Sequence, residues 1–130
     1  MNILCDTHVL LWYLEGRMDM FTPETVDMLM DESRTLYFSD VSIWEIAIKH
    51  SLKREDFVHD PQLVVDELQD QGFVNLPIRQ RHIMHAVSLP WRHRDPFDRL
   101  LLCQAATDGL LLITRDRQML RYEEVLVRLA

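Results

Sequence analysis

Short apolar runs of strand length alternate with longer stretches of helical spacing along the whole chain, and that alternation narrows the fold more than any other property of the sequence. Residues 2–5 form the first apolar run, and THVLLWYLE behind it has a helical spacing that stops at Gly16. Thr22-Pro23-Glu24 supplies a capping residue, a proline at the first helical position and an acid in the first turn; Val26, Leu29 and Met30 then mark one helix face. Thr35 to Ser39 is aromatic and β-prone, and Ser42-Ile43-Trp44-Glu45 has the spacing of a capping box that opens IWEIAIKHSL. Asp60-Pro61 starts a helix that stops at Gly72, ahead of a candidate strand from Phe73 to Leu76. Arg79 to Ser88 reads as another helix, Asp95-Pro96 opens FDRLLLCQAATD up to Gly109, and LLLIT is the strand that follows. A short turn or helix comes after Asp116, with a last candidate strand near Val125 to Val127. This order predicts an α/β layer fold with a mostly parallel sheet.

The 130 residues, 48% of them hydrophobic, are enough for one core and too few for two, so one domain over residues 1–130 is expected. No stretch approaches the roughly 18 consecutive apolar residues of a membrane span. The N-terminus MNILCDTHVLLW has neither a basic lead-in nor a small-residue cleavage site, which sets the expectation of a cytoplasmic protein. Cys5 and Cys103 each lie in an apolar run, where a cysteine behaves as a small buried hydrophobe, and no disulfide is expected. The formal net charge is −7, yet eight arginines against four acids between Arg79 and Arg121 make that segment +4 and the remainder −11. That asymmetry fits either a local basic surface for a polyanion or arginines scattered over solvated faces.

Four acids stand where a parallel sheet would gather them. Asp6 follows the first strand, Glu45 and Asp98 lie in the first turns of two helices, and Asp116 follows LLLIT. Strand C-termini and the helix N-termini after them share one edge, where open α/β sheets place their ligands. Each acid alone has a second reading as a helix cap, and Asp95 before Pro96 is read as a cap. Together they form an oxygen-rich set suited to Mg²⁺ or Mn²⁺, which would neutralise the cluster, acidify a bound water and stabilise charge on a phosphate under attack.

LCDTHVLLW (Leu4 to Trp12), SIWEIAIK (Ser42 to Lys49), Leu76-Pro77, DPFDRLLLCQA (Asp95 to Ala105) and LLITRD (Leu111 to Asp116) together resemble the PIN-domain nucleases, and most of all the VapC-type toxins of bacterial toxin–antitoxin pairs. The resemblance runs from Ile3 to about Val127. It implies a three-layer α/β/α fold with a mostly parallel central sheet, an Mg²⁺- or Mn²⁺-dependent endoribonuclease acting on RNA, a cognate antitoxin protein and a homodimer. It also implies Asp6, Glu45, Asp98 and Asp116 as catalytic and metal-binding residues. Asp98 is preferred over Asp95 because it directly precedes the apolar helix run. Thr7 and Thr114 match positions where a hydroxyl orients a carboxylate or water.

His8 is assigned no role. Arg94, Arg99 and Arg115 adjoin the acids and are candidates for RNA phosphates, with an internal pair to a nearby carboxylate the alternative for Arg99; His93 is ambiguous. Trp12 and Trp44 are read as core and Trp91 as a base-stacking candidate. The face of Val26, Leu29 and Met30 and that of Ile43, Ile46 and Ala47 suit core better than a partner groove. A receiver-type phosphoacceptor or an Asp-x-Asp phosphatase is disfavoured because Asp6 is followed by Thr7 and His8. A catalytically silent RNA- or protein-binding module is the alternative, and its mark would be a missing acid.

Overall fold

The computed structural model describes residues 1–52, 58–90 and 95–130. Its strands are β1 (Ile3–Cys5), β2 (Leu36–Ser39), β3 (Val74–Leu76), β4 (Leu111–Thr114) and β5 (Val127–Leu129). They form one sheet in the order β3-β2-β1-β4-β5, and every neighbouring pair is parallel. Parallel neighbours need long crossovers, and these are supplied by α1 (Thr7–Leu14), α2 (Pro23–Met30), α3 (Asp40–Ser51), α4 (Pro61–Asp70), α5 (Gln80–His85) and α6 (Pro96–Asp108), with 3₁₀ turns at Met18–Met20 and Arg117–Arg121.

The helices cover both faces. Ile3 and Cys5 of β1 and Ile113 of β4 point into a core shared with Val9 and Leu10 of α1, Leu29 of α2 and Val64 and Leu68 of α4. Leu4 and Leu112 point the other way, toward Leu101, Leu102 and Cys103 of α6 with Met119 and Tyr122. Strands buried on both faces explain why the sequence shows continuous apolar runs rather than alternation. Both cysteines are buried and free. Among the described residues no helix is long and apolar enough to cross a membrane.

The helix starts follow the sequence signals closely at Thr22, Asp60 and Asp95, whose side chains accept backbone N–H bonds from the first turns of α2, α4 and α6. At α3 the expectation fails. Ser39 is the cap, accepting from Val41 N, and the helix begins at Asp40, so Ser42 lies inside it and Glu45 sits in its second turn rather than completing a capping box. The last strand begins at Val127, two residues late, because Val125 is buried in the turn that leads to it. The helix expected over Arg79 to Ser88 is shorter, Gln80–His85, and continues as turns.

Direction reverses at β1: β2 and β3 are added on one side, β4 and β5 on the other. A crevice opens outside the C-terminal ends of the strands at such a reversal. Gln104 of α6 packs against these strand ends, where its buried amide accepts from Ser39 Oγ and donates toward the carbonyls of Leu76 and Pro77 at 3.5 and 3.4 Å. The second half of α6 is thereby tied to the C-terminal ends of β2 and β3.

Candidate active site

Asp6 caps α1 directly after β1 and is only 5% exposed. Its backbone N–H donates to Ile113 of β4 (2.9 Å), its Oδ1 accepts from Thr7 N (2.6 Å) and its Oδ2 accepts from Thr114 Oγ1 (2.5 Å). The same Thr114 hydroxyl accepts from Asp116 N (3.0 Å), so one side chain at the end of β4 positions both acids. Asp116 in turn caps the 3₁₀ turn through Gln118 N (2.9 Å).

Thr7 does for Glu45 what Thr114 does for Asp6. Its Oγ1 lies 2.9 Å from both Glu45 Oε1 and Ser42 Oγ. A hydroxyl has one proton, so donation to the carboxylate leaves Ser42 to donate into Thr7. Glu45 Oε2 meets Lys49 Nζ at 3.1 Å, one helical turn along α3. Asp95 is exposed and occupied as a cap, its Oδ1 accepting from Phe97 N and Asp98 N, while Asp98 is half-buried in the first turn of α6.

Asp6, Glu45, Asp95, Asp98 and Asp116 line one open cleft of about 710 Å³, together with His8, Lys49, Arg115 and Arg117. All four acids expected from the sequence are thus brought to one place. Burial pushes the Asp6 carboxyl above the usual carboxylate range; the Thr114 and Thr7 hydrogen bonds oppose this, and the charges of Glu45 and Asp116 add to it. Burial lowers the His8 pKa, and the cations Arg115 and Lys49 lower it further. Among the described residues no three His, Cys, Asp or Glu side chains stand close enough together to hold a metal ion as they lie. The donor set is nevertheless all oxygen and mutually repelling, which is the chemistry that a hard divalent cation satisfies.

Other expectations are corrected. Arg99 does not face the cleft: it is buried, and its guanidinium donates to the carbonyls of Ala86, Leu89 and Pro90 and to Tyr122 Oη. Trp44 is not core but 55% exposed, packed edge-on against Phe97 with ring centroids 4.9 Å apart. Val26, Leu29, Ile43 and Ile46 do join the core, whereas Met30 is exposed. Arg81 is taken by Asp108, which thins the expected basic surface. Trp91, His93 and Arg94 lie outside the described residues. Lys49 went unnoticed in the sequence, although its spacing four residues after Glu45 on a helix is the signal for such a pair. His8, assigned no role, faces the cleft with its Nε2 3.0 Å from Arg115 Nη2.

A family model described as PIN domain matches residues 3–125. Among solved structures the fold is similar to VapBC2 from Rickettsia felis bound to a DNA fragment from their promoter, with TM-score 0.74, 12% identity, and 99% of this chain and 98% of that one covered. It is also similar to DNA-bound VapBC from Salmonella typhimurium (TM-score 0.70, 14% identity, coverage 99% and 98%) and to VapBC-1 from nontypeable Haemophilus influenzae (TM-score 0.69, 18% identity, coverage 98% and 97%). At these identities the likeness is one of fold. No curated protein is similar enough in sequence to count as a relative.

Proposed function

The chain belongs to the PIN domain family, and from that premise we propose that residues 1–130 form a single-domain, metal-dependent endoribonuclease, the toxin of a toxin–antitoxin pair acting in the cytoplasm. The observation that carries this reading is the convergence of Asp6, Glu45, Asp98 and Asp116 on one cleft, two of them oriented by the hydroxyls of Thr7 and Thr114. These four acids would hold Mg²⁺ or Mn²⁺. Such an ion, when bound, would lower the pKa of a coordinated water and screen the charge that builds on the phosphate oxygens. The chain's own part is to fix the oxygens. Thr114 and the Thr7 N–H each engage one oxygen of Asp6, and Thr7 engages one oxygen of Glu45, so neither carboxylate is free to swing away. Lys49 and Arg115 on the cleft wall offset the repulsion that a net-acidic protein would exert on an oligonucleotide.

Partners follow the similar structures, which are described as VapBC complexes and, in two cases, as bound to DNA. For this chain a cognate antitoxin and a second copy are proposed, and the exposed apolar stripe of Trp44 and Ile48 on α3 with Leu52 just past its end supports such contacts. A silent binding module is the second reading, favoured by the Lys49–Glu45 ion pair, which already satisfies one oxygen of that acid.

The test is incubation of the purified chain with single-stranded and structured RNA, in Mg²⁺, in Mn²⁺ and in chelator, beside Asp6→Asn and Asp98→Asn. Cleavage that requires the cation and is lost in both variants is expected. Intact RNA in every condition, from folded protein, overturns the nuclease and leaves the binding module.

A further inference from the structure

Arg115 is an exposed cation on the wall of a cleft lined by five acids, and among the described residues it pairs with none of them. Two uncharged groups hold it instead. Its Nη2 donates to His8 Nε2 at 3.0 Å, and its guanidinium carbon lies 5.8 Å from the centre of the Trp12 ring. Trp12 packs edge-on against buried Phe21 with ring centroids 5.9 Å apart, and His8 and Trp12 are themselves in edge contact on successive turns of α1. An arginine paired with a carboxylate is oriented at the expense of its charge. One held by an imidazole nitrogen and a ring face is oriented with its charge intact and most of its donors still to be used.

We propose that Arg115 is a phosphate ligand for the nucleic-acid backbone, and that His8 and Trp12 are positioning residues that aim it into the cleft beside Asp6 and Asp116. The planar guanidinium presents paired N–H donors that match two oxygens of a phosphodiester. Its place next to Asp116 at the end of β4 puts that phosphate at the acid cluster rather than on a remote surface. The inference rests on the nuclease reading of the cleft, but it concerns binding and is read without cleavage.

The experiment measures binding of a fluorescent single-stranded oligoribonucleotide in chelator across a range of salt, with the parent chain, Arg115→Ala, His8→Ala, His8→Gln and the His8→Ala/Arg115→Ala double variant, each checked for a cooperative thermal transition. Arg115→Ala is expected to weaken binding about tenfold and to reduce the slope of log affinity against log salt by about 0.7, the share of one phosphate contact. His8→Ala should lose part of that affinity and His8→Gln, which restores an acceptor, should regain it. The double variant should bind no more weakly than Arg115→Ala, because His8 acts only through the arginine. Additive losses overturn the positioning role. Binding unchanged in Arg115→Ala, or no binding by the parent chain, overturns the phosphate site and turns attention to a carboxylate on a protein partner. Cleavage in Mn²⁺ is scored separately: a parent chain that cleaves while Arg115→Ala binds normally removes this inference and keeps the nuclease, and one that binds through Arg115 but never cleaves does the reverse.

Discussion

Asp6 is the point at which the proposed function and stability conflict. Its carboxylate is buried and faces two others, and the hydrogen bonds from Thr7 and Thr114 leave its pKa above the ordinary value. A carboxyl that holds its proton more tightly in the folded chain favours folding at low pH. That advantage fades as pH rises from about 3.9 through the raised folded value, and above it the ionised group opposes folding. Asp6→Asn should therefore melt at a higher temperature than the parent chain at neutral pH in chelator, with the margin shrinking on acidification, while abolishing cleavage. A lower melting temperature at every pH would mean that the two hydrogen bonds outweigh burial and repulsion. The sequence offered this residue readily, since an acid directly after a central strand is conspicuous. Its burial was not legible, because nothing local encodes it, and the hold by Thr114, more than a hundred positions away, was reached only through the family resemblance.

Helices α5 and α6 are fastened by a polar clamp rather than by apolar packing alone. His82, fully buried, accepts from Arg79 N through Nδ1 (2.9 Å) and meets Asp108 through Nε2 (3.0 Å), while Arg81 holds Asp108 from outside at 3.1 and 3.3 Å. Partial burial would raise the Asp108 pKa, but the hydrogen bonds and charges of Arg81 and His82 bring it below the usual range. Its contribution is present above about pH 3.9 and is lost as pH falls through the lower folded value. His82→Ala should cost about 2–3 kcal/mol, since it strips two partners from a buried site. Denaturant titration checks this, and a loss below ~0.5 kcal/mol would show that the clamp is ornamental. The starts of α2, α4 and α6 and the stops at Gly16, Gly72 and Gly109 were legible because caps, prolines and glycines act locally. At α3 two serines three residues apart offered the same local chemistry, and only the position of β2 decides for Ser39. Arg99 was misplaced for a related reason: its neighbours in sequence are acids, but its neighbours in space are carbonyls at the end of the segment after α5.

Seen as one object, the protein keeps Asp6, Glu45, Asp98 and Asp116 at one edge of a sheet whose two faces are covered by helices, so a bound cation should stabilise the whole fold rather than a loop. Ligation that favours only the folded state contributes about 2.7 kcal/mol at a hundredfold excess over Kd, on the order of a 10 °C rise in Tm for a chain of this length. Differential scanning calorimetry with Mn²⁺ against chelator should show a rise of that size, absent in Asp6→Asn. No shift in the parent chain would argue that Lys49 keeps Glu45 from the ion. The pairing of β1 with β4 has one more consequence. Strand β1 is made first, but the hydroxyl that holds Asp6 arrives 108 residues later, on a strand that must find its place beside β1 across nearly the full length of the chain. A ribosome must therefore extrude the chain past β4 before the acids can be gathered, and under the proposed nuclease reading a nascent chain would have no assembled centre to turn on the message from which it is being read.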